Sequence, residues 1–175
     1  MYPLARFATT MLGAFRGPRV LVTDPVTITL PVRRIDVEAK RMNNGRYLTM
    51  MDLGRFALIV RAGYVPILAR NRWYPLVTGV MIRFRRALCV GTRYELTTRL
   101  VCWDERSFFL EQRFTQRGEV QAEAWVKTRF MGPGGSLRSE ELVRAGGLDP
   151  TSPAVPEGIR AWQAAEAALA GDGAS

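Results

Sequence analysis

Apolar residues between positions 47 and 60 point in nearly every direction around the 3.6-residue period of an α-helix. A helix with this pattern is predicted to be buried on all sides. Its polar interruptions include Thr49, Asp52 and Arg55. A carboxylate inside a buried helix is costly unless it has a partner or a function, and Asp52 is therefore a candidate for chemistry.

Upstream and downstream of this helix, the hydrophobic pattern changes to an alternation with a period of two. This alternation is typical of strands that bury one face. One strand is predicted before the helix and four after it, and turn residues at Gly91, 104–106 and 116–118 favour hairpins between consecutive strands. The predicted strands cover residues 26–32, 80–85, 93–102, 108–114 and 120–130.

Between the first strand and the helix, residues 42–48 read MNNGRYL and residues 51–55 read MDLGR. Together with the order of the elements, these motifs resemble the hotdog-fold thioesterases, in which a curved antiparallel sheet wraps one central helix. Later segments, Trp73 with IRFR at 82–85 and LEQRF at 110–114, are similar to later strands of the bacterial branch of this family that is related to the acyl-CoA thioesterase-like proteins. The resemblance implies an α+β hotdog fold with one long central helix, and short helices are expected at both ends of the chain.

The resemblance also implies a catalytic turn, because the family usually presents D-x-[DN]-x-H before its paired asparagines, with the acid as nucleophile or base. This chain departs from that pattern. Aligned without a gap, the acid falls on Val37 and the histidine on Arg41, whereas a one-residue deletion places Asp36 and Glu38 on the acidic positions. Glu38 is the first choice for the nucleophile or general base, Asp36 is the second and Asp52 the third.

The paired asparagines after this turn have two interpretations. Asn43 and Asn44 favour a helix start, since an Asn side chain can accept hydrogen bonds from free N–H groups. In the family that the chain resembles, the same turn lies at a dimer interface, where the helix N-terminus polarises the thioester carbonyl. Asn43, Asn44 and Tyr47 are therefore expected to shape the carbonyl end of the substrate site, and Tyr47 is also a candidate core residue.

The absence of histidine limits the available chemistry. The chain contains no histidine, which excludes Ser-His-Asp and Cys-His catalysis and His-containing zinc sites. Cys89 and Cys102 are too few for a cysteine-rich metal site and are interpreted as buried thiols. The sequence predicts no metal and no cofactor, and carboxylate, lysine, tyrosine or backbone chemistry remains.

A net charge of +9 and a pI near 10.5 indicate an anionic partner. The basic residues are dispersed, with no dense basic tail and no nucleic-acid-binding motif, so no nucleic acid is expected as a partner. Arg41, Arg83 and Arg85 are candidates for binding the phosphates of coenzyme A or an acidic acyl carrier protein. The alternative is that these side chains are only solvated surface charge.

One globular domain is predicted between two short terminal segments. Residues 1–22 form an amphipathic segment, residues 23–147 the hotdog domain, and residues 148–175 a proline-containing linker and a helix. The C-terminal helix is expected to bury one face, formed by Ile159, Trp162 and Leu169.

The N-terminal segment mixes apolar residues with arginines. Its longest uncharged run, residues 7–15, is too short to span a bilayer. The segment is expected to form an amphipathic helix that packs on the domain or on its partner, with attachment to a membrane surface as the alternative. No transmembrane segment is predicted, and a cytoplasmic location is expected.

These observations predict a hydrolase that acts on an acyl-CoA or acyl-carrier-protein thioester. The resemblance implies a homodimer or tetramer in which the acyl group lies between subunits along the central helix. Two other classes stay open: an acyl-thioester-binding protein that has lost catalysis, and a biosynthetic dehydratase, isomerase or cyclase in which a carboxylate abstracts a proton. The sequence leaves the acyl chain and its carrier undetermined.

Overall fold

The computed structural model describes residues 4–172; the first three residues of the predicted N-terminal segment and the last three of the C-terminal segment lie outside the described residues. In chain order, the elements are α1 Leu4–Arg16, β1 Val26–Pro31, a 3₁₀ turn Arg34–Asp36, β2 Val37–Glu38, β3 Arg41–Met42, α2 Asn44–Arg61, α3 Val65–Asn71, β4 Tyr74–Phe84, β5 Arg93–Trp103, β6 Phe108–Gln116, β7 Glu119–Gly132, β8 Gly135–Ser136, α4 Ser139–Ala145 and α5 Glu157–Asp172.

The main sheet is antiparallel and curls around α2. Its strand order is β1-β5-β6-β7-β4, and the short strand β8 pairs with the end of β7. The inner face of the sheet and the buried side of α2 form one continuous hydrophobic core. Each strand reaches this core through every second residue, as the period-two alternation requires. The predicted α+β class, with a curved sheet around a long central helix, is confirmed.

One part of the predicted topology is wrong. The alternation suggested a hairpin between the strands on either side of Gly91, but β4 pairs with β7 and β5 pairs with β1 and β6. The chain therefore crosses from one side of the sheet to the other between Phe84 and Arg93. An alternating pattern identifies a strand without specifying its neighbour, so a turn residue between two strands does not establish that they pair.

Strand β4 also begins earlier than predicted, at Tyr74 instead of residue 80. Its first half reads YPLVTG, which does not alternate, and β4 lies at the edge of the sheet. Large apolar side chains along the strand are exposed, among them Tyr74, Leu76 and Met81. The alternation is missing because β4 is an edge strand whose large apolar side chains are not covered by any other part of residues 4–172.

Helix α2 is not buried on all sides, and this prediction is wrong for one stripe of its surface. Met50, Met51 and Ala57 are fully buried, but Leu48 is 43% exposed and Phe56 is 36% exposed. Asp52 lies on the helix between the two exposed residues. A helix that is apolar all round needs cover on every side, so the exposed stripe marks where a further surface can pack.

Helix α1 packs against α2, and a buried ion pair joins it to the 3₁₀ turn that precedes β2. The ring centroids of Phe7 and Phe56 are 5.5 Å apart in an edge-to-face contact. The Arg6 guanidinium donates two hydrogen bonds, of 3.0 and 2.8 Å, to the carboxylate of Asp36, and both side chains are buried. The helix ends at Arg16, shortly before Pro18, as the sequence suggested.

Helix α5 packs on the outer face of the sheet. Ile159 is fully buried in a small cluster with Phe109 and Cys102, and the ring of Trp162 lies 6.1 Å from that of Phe109. Leu169 is 77% exposed, so it does not belong to the buried face as predicted. None of the helices within residues 4–172 is long and apolar enough to cross a lipid bilayer.

Candidate active site

A cavity of about 110 Å³ lies between α2 and the inner face of the sheet. Its rim includes the exposed side chains of Phe56 on α2 and Val77 on the edge strand β4. Its wall is largely apolar, and the side chains with polar groups that line it are Asp52, Arg55, Tyr64 and Thr128. Apolar residues that form the wall include Leu58, Leu100, Phe108, Phe130 and Leu142.

The carboxylate of Asp52 is held at this cavity by a chain of polar contacts. Arg55, one helical turn later on α2, forms an ion pair with Asp52. Arg55 Nη1 also donates a 2.7 Å hydrogen bond to Gln112 Oε1. Because positions i and i+3 lie on the same side of a helix, both side chains face the same part of the sheet.

Gln112 is fully buried on β6 and is itself fixed in orientation. Its Nε2 donates hydrogen bonds to the backbone oxygen of Met51 at 2.9 Å and to Thr98 Oγ1 at 2.8 Å. Its oxygen therefore has to point at Arg55. Gly54 allows α2 to lie this close to Gln112 and Thr98, because a Cβ at position 54 would overlap Thr98 and crowd Gln112. The buried side chain of Gln112 thus orients Arg55, and Arg55 in turn positions the Asp52 carboxylate.

The two acids predicted from the turn lie elsewhere. Asp36 is fully buried and, besides the Arg6 ion pair, accepts a 2.9 Å hydrogen bond from the backbone N–H of Arg33. Glu38 is exposed at the end of β2, next to a turn in which Ala39 and Lys40 have positive φ angles of 45° and 68°. Neither carboxylate lines the cavity of the same chain.

Asn43 is the N-cap of α2. Its Oδ1 accepts a 2.8 Å hydrogen bond from the Gly45 N–H, and its backbone oxygen accepts one of 2.9 Å from Arg46. The capping interpretation is therefore confirmed for Asn43, while Asn44 is the exposed first residue of the helix. At a rise of 1.5 Å per residue, Asp52 lies about 12 Å further along the axis, so a single chain does not bring this turn to the cavity.

Tyr47 is a core residue in the structure. It is 2% exposed, and its hydroxyl accepts a 3.2 Å hydrogen bond from the Leu88 N–H. Its ring is 5.0 Å from those of Phe84 and Phe114. Burial raises the pKa of Tyr47; the Leu88 hydrogen bond partly offsets the rise and nearby Cys89 adds to it.

The predicted phosphate-binding arginines lie near the N-terminal end of α2. Arg83 and Arg85 flank Phe84, whose ring packs on Tyr47. Arg85 forms an ion pair with Glu123 at 2.6 Å. Within residues 4–172, Arg83 and Arg41 have no carboxylate partner within 4.0 Å, so their charges are available to an anion.

The cysteine prediction is half right. Burial, helped by Asp104, raises the pKa of the Cys102 thiol to about 11. Cys89 is exposed, so its interpretation as a buried thiol is wrong. It lies in the crossing segment between β4 and β5, which the sequence assigned to a hairpin.

Gln112 and Thr128 were missed as site residues by the sequence reasoning. Both occupy core-facing positions of strands whose neighbouring positions on that face are apolar. A polar residue on the apolar face of an alternating strand was the available signal, because a buried polar group needs a partner. Without the sheet order, nothing linked Gln112 to Arg55.

Comparison with known proteins places these features in a family. A family model described as "Thioesterase-like superfamily" matches residues 31–163. Protein THEM6 of Danio rerio is 44% identical over 78 residues, which are 45% of this chain and 39% of that relative. The chain thus covers about two fifths of the length of that relative.

Solved structures share the fold. YbaW, a probable thioesterase from Escherichia coli, has a TM-score of 0.64 and 21% identity, covering 68% of this chain and 94% of that one. SAV2348 from Staphylococcus aureus, solved in complex with CoA, has a TM-score of 0.60 and 14% identity, covering 81% and 95%. These matches confirm the predicted hotdog fold.

Proposed function

This chain belongs to the thioesterase-like superfamily, and from that premise we propose that it hydrolyses the thioester of an acyl-CoA or an acyl carrier protein. The observation that carries the proposal is the Asp52 carboxylate, paired with Arg55 at a largely apolar cavity. The acyl group would enter the cavity and place its carbonyl carbon beside Asp52. The order of the candidate carboxylates is therefore revised: Asp52 comes first, and Glu38 second.

Two routes are open to a carboxylate at this position. As a general base, Asp52 takes a proton from water while the water oxygen attacks the thioester carbonyl; the C–S bond then breaks and the proton passes to the leaving thiolate. As a nucleophile, Asp52 attacks the carbonyl itself, releasing the thiol and forming an anhydride that water hydrolyses. Both routes give one carboxylic acid and one thiol.

The structure supports a homodimer formed through β4. This edge strand exposes Tyr74, Leu76, Val80 and Met81, and an exposed apolar edge favours pairing with another strand. Two copies of β4 paired antiparallel about their middle would bring the Arg83 end of one copy to the Val77 end of the other. The cavity of each subunit would then lie beside the arginines of its partner. It would also lie beside the partner's turn between β2 and β3, which Glu38 precedes.

The charge distribution supports coenzyme A or another phosphopantetheine carrier. Arg83 and Arg41 have no carboxylate partner within the described residues, and the net charge is +9. An apolar cavity for the acyl group next to unpaired guanidinium groups matches the two ends of an acyl-CoA molecule. The CoA complex of the S. aureus neighbour is consistent with this choice.

A non-catalytic acyl-thioester-binding protein is the second candidate. It is favoured by the absence of histidine and by the N-terminus of α2, where the Gly45 and Arg46 amides already donate to Asn43. Amides that already have acceptors are less able to stabilise an oxyanion. Binding of acyl-CoA with no hydrolysis above background would establish this function instead.

The decisive experiment compares carboxylate variants on a panel of acyl-CoA thioesters. Asp52→Asn should lower kcat by about 10²- to 10⁴-fold, the range typical of general-base catalysis. Glu38→Gln is assayed in parallel, and Glu95→Gln, an exposed acid on β5, serves as a matched control. Wild-type kcat in Asp52→Asn together with a large loss in Glu38→Gln would move the role to Glu38. Wild-type kcat in both variants would exclude both carboxylates from the reaction.

A further inference from the structure

Helix α1 has a second apolar side that faces away from the domain. Leu4, Ala8, Leu12 and Phe15 follow one another at the spacing that places residues on one side of a helix, and all four are exposed. Leu12 and Phe15 each expose half or more of their surface. Single exposed apolar residues are ordinary, but a row of neighbouring ones marks a surface that binds another surface. These four residues are called the α1 stripe.

The packing of α1 on the domain fixes the outward direction of this stripe. The buried residues of the helix are Arg6, Met11 and Ala14, which lie on a different side. Arg6 is joined to Asp36 by the buried ion pair. A rotation that buried the α1 stripe would break this ion pair and expose Met11. The expected packing of α1 on the domain is therefore complete without the stripe, which stays free to bind elsewhere.

The charges that accompany the α1 stripe are positive. Residues 4–23 contain no Asp or Glu. Arg16 and Arg19 are exposed, and neither has a carboxylate within 4.0 Å among residues 4–172. The first acid after the helix, Asp24, accepts a 2.9 Å hydrogen bond from the Leu21 N–H. Unpaired guanidinium groups next to an apolar row suit a surface that is itself anionic.

A groove between α1 and β1 adds positive charge on one flank of the stripe. Thr9 and Gly13 line this groove, and each follows a residue of the stripe by one position, so the groove borders the stripe. Arg33 and Arg61 also line it, and no acidic side chain does. Arg61 Nε donates a 3.0 Å hydrogen bond to the backbone oxygen of Pro18, which leaves its charge uncompensated.

We infer that the α1 stripe and the arginines around it dock on the surface of a bilayer that contains anionic lipids. The apolar side chains enter the boundary between headgroups and acyl chains, and the guanidinium groups bind lipid phosphates. A convex row of side chains fits a deformable headgroup layer, whereas a protein would need a groove of matching shape. Two copies of this chain that met through the stripe about a two-fold axis would bring Arg16 and Arg19 of both copies together, and like charges oppose such a contact.

The docking surface adjoins the candidate cavity. Phe56, at the rim of the cavity, contacts Phe7 of α1. Val22 lines the cavity and directly follows Leu21, which is exposed. A docked protein would therefore hold the rim of the cavity close to the lipid surface. The inference concerns attachment alone and does not rest on the proposed hydrolysis.

Flotation with lipid vesicles tests the attachment. The vesicles consist of phosphatidylcholine alone, or of phosphatidylcholine and phosphatidylglycerol in a ratio of about 2:1, the second being anionic. The wild-type protein should bind the anionic vesicles more tightly than the neutral ones. Binding should weaken with added salt, because the Debye length falls from about 10 Å at 0.1 M to about 3 Å at 1 M. Absence of binding to the anionic vesicles would overturn the proposal.

Substitution in the α1 stripe tests the apolar contribution. Leu12→Gln or Phe15→Gln should each lower the affinity for anionic vesicles by roughly three- to tenfold, since part of one large apolar side chain no longer leaves water. Leu169→Gln is the matched control, because it changes an exposed leucine on α5, and it should leave the affinity unchanged. Urea unfolding of each variant checks that the fold is intact. An equal loss in Leu12→Gln and Leu169→Gln would contradict the role of the stripe.

Substitution of the arginines tests the electrostatic contribution. Arg16→Gln together with Arg19→Gln should lower the affinity for anionic vesicles by about 25-fold, or about fivefold for each charge. Arg93→Gln together with Arg117→Gln makes the same change in net charge at exposed positions outside α1, and it should have a much smaller effect. Equal losses in the two double variants would show attraction by net charge alone and would refute a defined docking surface.

Analytical ultracentrifugation of wild type and Leu12→Gln distinguishes the other occupant of this surface. The same assembly in both proteins, with weaker vesicle binding in Leu12→Gln, supports docking on lipid. A smaller assembly in Leu12→Gln, with no vesicle binding by the wild type, would assign the α1 stripe to a contact between copies of this chain and overturn the proposal.

Discussion

Substitution of Asp36 tests whether this acid of the predicted catalytic turn is a structural residue. Asp36→Asn removes the negative charge that faces Arg6, although both side chains have only 2% or less of their surface exposed. The variant leaves a buried guanidinium without a counter-ion and weakens two hydrogen bonds of 3.0 and 2.8 Å. Breaking one side of a buried ion pair costs about 3–5 kcal/mol, so the free energy of unfolding should fall by roughly that amount.

The measurement is urea unfolding at several protein concentrations, because dimerisation would add to the apparent stability. For a domain of this size, a loss of about 3–5 kcal/mol corresponds to a Tm lower by roughly 6–20 °C. The paired variant Arg6→Met with Asp36→Leu removes both charges and should recover much of the loss, since well-packed apolar replacements of buried ion pairs are often nearly neutral. The single variants Arg6→Met and Asp36→Leu complete a double-mutant cycle with this double variant, and the cycle isolates the interaction between the two side chains.

Two results would refute this reasoning. If Asp36→Asn unfolds at the wild-type urea concentration, the carboxylate does not stabilise α1 against the 3₁₀ turn. If it keeps wild-type stability but loses hydrolysis, Asp36 acts on the substrate and the sequence-based assignment was correct. Acyl-CoA hydrolysis is therefore measured on the same protein samples, at a temperature at which the variant is folded.

Two further outcomes are expected. Met81→Lys places a charge on the exposed edge strand β4 and should convert the dimer to a monomer at micromolar concentrations. Analytical ultracentrifugation measures this change. A monomeric wild type, or a variant that stays dimeric, would refute pairing through this strand. In native protein near pH 8, a thiol reagent should label exposed Cys89 while buried Cys102 stays unlabelled. The pKa of Cys102 is raised to about 11, so its reactive thiolate becomes abundant only as the pH rises towards that value. Rapid labelling of two thiols per folded chain would contradict this prediction.

Much of the fold was determined by local sequence patterns. The period-two segments at β1, β5, β6 and β7 and the long apolar helix α2 were all predicted within a few residues, because side-chain direction in these elements follows from backbone geometry alone. The partner of β4 was not predictable in this way. Its neighbour depends on which edge of the sheet is free after the other strands have paired, and this is a property of the whole chain.

The candidate site shows the same division. The sequence alone determined that Asp52 needed a partner, that histidine chemistry was excluded, and that an Asn pair would start α2. Only the tertiary structure showed that Asp36 is bound by Arg6, which lies 30 residues earlier, and that Arg55 is oriented by Gln112, 57 residues later. It also placed the side chain of Thr128 in the wall of the same cavity as Asp52. Contacts between residues so far apart depend on how the strands and helices pack together, which no local pattern specifies.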